Sequence, residues 1–130
     1  MKNISKILAL FPNADHIRLS ANGFMDLIIE RIGFGPRNLP LISVAHYYEQ
    51  EGDLMRDPEM TFEVHGQNLL PVSFQQDGRF SIYQEAVFKG EQGQVLIRPT
   101  LIKQLNSFAR TWNANISRQG FMVSAKKQAA

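Results

Sequence analysis

The apolar residues of this chain switch from alternation to helical spacing near Arg98, and that change restricts the fold more than any other feature. Before it, apolar and polar residues alternate: Ile17, Leu19 and Ala21, then Met25, Leu27 and Ile29, then Met60, Phe62 and Val64, then Leu70, Val72 and Phe74. Alternation puts every second side chain on the same face of a strand, so each run predicts a strand with one buried face. After Arg98, the residues Leu101, Ile102, Leu105, Phe108, Ala109, Trp112 and Ile116 recur at helical spacing and form one apolar stripe. A chain of 130 residues has room for one core shared by the two patterns. The expected fold is therefore α+β: an antiparallel meander of about six strands, with a long C-terminal amphipathic helix and a short N-terminal helix packed on one face.

Turn residues divide this pattern into elements. Residues 3–11 predict a short helix that stops before Pro12. Asn22-Gly23, between strands at 16–21 and 24–32, is the signature of a two-residue type I′ hairpin turn. Residues 33–40 read as a loop, and 41–49 as a central strand because apolar residues fall on both of its faces. Gly52 and Asp57-Pro58 predict turns, and Asp77-Gly78 predicts a second tight hairpin leading into a strand at 79–88. A short strand at 95–97 precedes the helix at 98–118, with Pro99 in its first turn and Gly120 beyond its end. A single domain over 1–124 is expected, with residues 125–130 fraying.

Several function classes drop out at this stage. The chain has no cysteine, which removes disulfide scaffolds, zinc fingers and thiol catalysis. The apolar run Ile7–Phe11 is too short for a secretory signal, and no stretch is long enough to cross a bilayer, so a soluble cytoplasmic protein without a membrane partner is expected. There is no Gly-x-Ser-x-Gly elbow, phosphate loop or Rossmann fingerprint. No catalytic residue, metal ligand or cofactor is assigned.

Charge is more informative than its sum of +2. Residues 93–130 hold Arg98, Lys103, Arg110, Arg118, Lys126 and Lys127 and no acid, whereas Glu49, Glu51, Asp53, Asp57, Glu59 and Glu63 crowd one short segment. Three constellations follow. Lys103, Asn106, Arg110 and Asn113 form a polar stripe on the long helix, where cations suit phosphates and amides suit base edges or sugars. Glu49, Glu51 and Glu59, with His46, Asp53 and Asp57, offer either an acidic surface for a protein or carboxylates for a divalent metal. Arg79, Tyr83 and Glu85 could line a ligand face on the sheet. Each also has an ordinary reading as a solvated surface, and the basic helix could simply balance the acidic segment within the fold. The histidines at 16, 46 and 65 read as strand residues, and Trp112 reads as core.

The block HYYEQEGDLMRDPEM (46–60), together with FMDLIIERIG (24–33) and PVSFQQDGRFSIYQEAVF (71–88), resembles a family of uncharacterised bacterial domains. Members of that family are carried by plasmids, phages and integrative elements, some of them fused to or near DNA-modifying proteins. The resemblance covers roughly residues 20–90, leaves the helix at 98–118 outside, and transfers no catalytic residue. It implies a non-enzymatic accessory protein of a mobile genetic element, acting on a protein or nucleoprotein partner in host-defence evasion or DNA transfer. Direct nucleic-acid binding through the basic helix is the alternative, and metal-dependent hydrolysis at 46–59 is the second.

Overall fold

A computed structural model describes all residues, 1–130. The elements run α1 (Lys2–Leu10), β1 (His16–Leu19), β2 (Leu27–Phe34), β3 (Pro40–Gln50), β4 (Asp53–His65), β5 (Asn68–Gln76), β6 (Ile82–Glu85), β7 (Val87–Lys89), β8 (Val95–Ile97), α2 (Pro99–Arg118) and α3 (Phe121–Ala129). Strands β1 to β6 pair in sequence order as one antiparallel six-stranded meander, and β7 and β8 form a separate ribbon. The α+β expectation holds, down to the central position of β3, whose residues Ile42–His46 are all buried.

The core lies between the sheet and a layer of three helices. Ile17, Leu19, Leu27, Ile29, Ile42, Val44, Met60 and Phe62 from the strands meet Ile4, Ile7 and Leu8 of α1 and Leu105, Ala109, Trp112 and Ile116 of α2. Four members of the α2 stripe are thus fully engaged; at about 1.5–3 kcal/mol for each large apolar side chain removed from water, α2 is a main source of cohesion. Phe108 stays partly exposed at the flank and packs edge-on against Phe74 and Trp112.

The turns differ most from expectation. Asn22-Gly23 does not make a type I′ hairpin: Leu19 pairs with Leu27, Asn22 keeps a negative φ, and only Gly23 is left-handed. The Asp26 carboxylate accepts hydrogen bonds from Arg18 Nε (2.6 Å) and Ser20 Oγ (2.8 Å), which holds residues 20–26 as a longer connection. Asp77-Gly78 is likewise no two-residue turn, since Gln76 pairs with Ile82. Asp77 is bound to β4 instead, where its carboxylate accepts the Arg56 backbone N–H (2.9 Å) and its own N–H donates to the Arg56 carbonyl (3.0 Å).

The tight turn forms at Glu51-Gly52, both left-handed, with Gln50 paired to Asp53. Asp57-Pro58, expected as a turn, is part of β4: the cis dipeptide sits opposite His46 where the β3–β4 register shifts. The expected strand at 79–88 divides at Ala86, which is fully buried; its N–H goes to Val72 of the main sheet and its carbonyl receives Arg98. The tail expected to fray, residues 125–130, is instead helical up to Ala129 as part of α3. Gly120, at φ +97°, turns the chain so that Phe121 and Ala125, one helical turn apart, are fully buried against the core.

Candidate nucleic-acid interface

The helical layer is fastened to the sheet by polar contacts as well as by apolar packing. At the C-terminal end of α1, where carbonyls lack helical partners, Arg31 of β2 donates from Nε to Ala14 O (3.0 Å) and from its terminal nitrogen to Phe11 O (3.4 Å) and Leu8 O (3.5 Å). Asn3 of α1 ties to α2: its backbone N–H donates to Asn113 Oδ1 (2.8 Å) and its side-chain amide to Asn113 O (2.9 Å). Beneath α2, the Trp112 indole N–H donates to His46 Nε2 (3.1 Å). His46 Nδ1 lies 3.1 Å from both Met25 O and Asp26 O, so this nitrogen carries the proton and the ring is neutral. Burial lowers the His46 pKa, against the opposing pull of those two carbonyls.

Every charged side chain that this layer presents to solvent is basic. Its three helices contain Lys2, Lys6, Lys103, Arg110, Arg118, Lys126 and Lys127 and not one aspartate or glutamate. All seven are exposed, and none takes part in an ion pair. All twelve acids of the chain lie between Asp15 and Glu91. Two grooves bring cations from different helices together. One, of about 340 Å³, lies at the start of α1 against α2 and is lined by Lys2, Asn106, Ala109, Arg110 and Asn113. The other, of about 440 Å³, runs along α1 to the α2–α3 corner and is lined by Lys6, Leu10, Ser117, Met122 and Lys126.

The stripe expected on α2 is therefore changed in composition. Asn106 and Arg110 share a groove, while Asn113 Oδ1 is committed to Asn3, so that amide is not free for a two-bond pairing with a base. Lys103 is exposed on the same helix. Lys2, Lys6 and Lys126, which complete the basic face, come from helices that sequence reasoning did not connect with it. The signal that could have found them is the lack of acids in residues 1–14 and 92–130, the two ends of the chain.

The acidic segment does not neutralise this face. Glu49 and Glu51 are exposed at the β3–β4 hairpin, whereas Glu59 accepts Ser43 Oγ (2.8 Å) and faces Arg56 (3.8 Å). Asp57 accepts a hydrogen bond from Gln76, and His46 faces the helices with both nitrogens in use. No three of the candidate metal ligands converge.

Glu63, the last acid of the crowded segment, is fully buried. Its Oε1 accepts Arg37 Nε (2.7 Å), and its Oε2 accepts the backbone N–H groups of Arg37 (3.0 Å) and Leu39 (3.2 Å). The loop closes this tightly only because residue 35 is glycine; a Cβ there would collide with the Glu63 side chain.

On the far side of the sheet, the Tyr83 hydroxyl donates to Glu85 Oε1 (2.9 Å), and burial with this carboxylate pushes the phenol pKa up. The two residues line a shallow cleft of about 480 Å³ together with Thr61, Ser73, Phe88 and Lys89. Arg79 is not among them; its guanidinium lies over Phe80.

No helix is long and apolar enough to cross a membrane. No curated protein and no solved structure matches the chain. A family match spans residues 1–122, which takes in all of β1 to β8 and α2 with the start of α3. The chain belongs to the family described as Domain of unknown function (DUF6908).

Proposed function

We propose that this protein is a nucleic-acid-binding module that lays its helical layer against the phosphate backbone. One observation carries the reading: seven exposed cations on three helices, without a carboxylate among them and without an ion pair to any of them. Cations already paired within a fold must break those pairs to bind a phosphate, and these have none to break. A protein partner is less well served by the same face. Protein interfaces are centred on apolar and aromatic anchors; Phe24, Phe34, Phe80 and Tyr83 lie outside the helices, and Phe108, the one exposed aromatic on them, packs edge-on against Phe74 and Trp112. The reading retains an accessory role for a mobile genetic element, with DNA or a nucleoprotein as the partner.

The four groove cations Lys2, Lys6, Arg110 and Lys126 set the expected salt response. Neutralising about four phosphates of duplex DNA gives a log–log salt slope near −3.6, a loss of about 150-fold in affinity between about 50 and 200 mM salt. Fluorescence anisotropy with a labelled duplex measures this slope directly. Replacing the four together (Lys2→Gln, Lys6→Gln, Arg110→Gln, Lys126→Gln) should flatten it toward about −1 while leaving the circular dichroism spectrum unchanged. No binding at low salt, or equal slopes for the two proteins, would remove the proposal.

A further inference from the structure

The same face also says which form of nucleic acid it suits. Resting on the reading above, we infer that the ligand is duplex, held through its backbone without regard to sequence, and not single-stranded. Two features that other modes of recognition require are missing from the face, although the chain possesses the residues to supply them.

Single strands are held by a basic groove combined with aromatic side chains on which unpaired bases stack. On the helical layer the aromatic rings are engaged elsewhere. Trp112 is 5% exposed with its N–H on His46, and Phe121 is fully buried. Phe108 alone is partly exposed, but its ring is packed edge-on between Phe74 (5.2 Å) and Trp112 (6.0 Å), and it lines neither basic groove. A strand laid along Lys2 and Arg110 or along Lys6 and Lys126 would find charge but no stacking surface.

Sequence readout needs amides or guanidinium groups held in position for base edges. Of the three amides that line the two grooves, Asn3 and Asn113 are bonded to each other, and the neighbouring Ser5 hydroxyl donates to Gln67 O (3.0 Å). Asn106 is the one groove amide without a protein partner, and a single amide reads at most one base pair. Five of the seven cations are lysines, whose ammonium groups act as mobile point charges on flexible stems. Flexible charges distributed over three helices suit a regular array of phosphates, where position along the duplex is immaterial.

Competition anisotropy on the full chain at fixed low salt tests this. The probes are two duplex DNAs of unrelated sequence, a duplex RNA and a single-stranded oligothymidine. The two DNA duplexes should compete within about threefold of each other, the duplex RNA should compete as well, and the single strand should be weaker by about fivefold or more. A single strand that competes within fivefold, duplexes that differ by more than threefold, or a duplex RNA that fails to compete would each overturn the duplex inference while leaving nucleic-acid binding intact. Failure of every probe to bind would overturn both.

Discussion

The His46–Trp112 hydrogen bond is the point at which a small chemical change should loosen the basic layer from the sheet. Trp112→Phe keeps an aromatic ring on α2 but removes the N–H, which leaves His46 Nε2 without a donor at a site where the histidine is only 7% exposed. An unpaired buried acceptor costs about 1–3 kcal/mol, and trimming the indole adds about 1 kcal/mol of lost packing, so a total of about 2–4 kcal/mol is expected. Protonation attacks the same bond from the other side, since a charged imidazole would turn an N–H toward the Trp112 N–H. Burial holds the folded His46 pKa below its unfolded value. The unfolded chain therefore takes up the proton first, and stability present above about pH 6.5 is lost as the pH falls through the interval down to the folded pKa. Between about pH 7.5 and 5.5 that loss can reach a ceiling of about 1.4 kcal/mol, the value for a site that stays neutral throughout. Urea unfolding followed by circular dichroism, on wild type, His46→Gln, Trp112→Phe and the double variant at both pH values, separates this group from the exposed histidines. A coupling energy below about 0.3 kcal/mol, or wild type no more pH-sensitive than His46→Gln, would refute the reasoning.

Two further predictions concern stability. Arg37→Ala leaves the fully buried Glu63 carboxylate with only backbone donors; because Arg37 is itself partly exposed, the cost should be about 1–3 kcal/mol, read as a lower urea midpoint, and an unchanged midpoint would show that the pair contributes little. Phe121→Ala should cost about 3–5 kcal/mol and expose residues 121–129 to limited proteolysis, whereas a stable, uncleaved variant would show that α3 does not depend on this anchor.

The strands were legible because one-sided burial imposes alternation, and the α2 stripe because helical burial imposes its own period. The turns were not, for a reason the residues make plain. Local turn preference treats Asp77-Gly78 as an isolated pair, but Asp77 is claimed by Arg56, twenty-one positions away. Glu51-Gly52 turns because β3 and β4 must pair, and glutamate offers little local hint of a left-handed conformation. The helix α3 was hidden because its burial rests on two residues, Phe121 and Ala125, too few to show a period. For the candidate site, the cations of α2 could be read in advance. Which other helices share its layer, and the fact that Asn3 consumes Asn113, follow only from packing.

The central claim is that the acid-free helical layer meets nucleic acid, and amide chemical-shift mapping tests it most directly. Titrating a short DNA duplex into isotope-labelled protein should move resonances of residues 2–10, 103–118 and 121–127 and leave the β3–β4 hairpin and the Tyr83–Glu85 cleft in place. Shifts concentrated at residues 80–98, or none at any position at low salt, would contradict it.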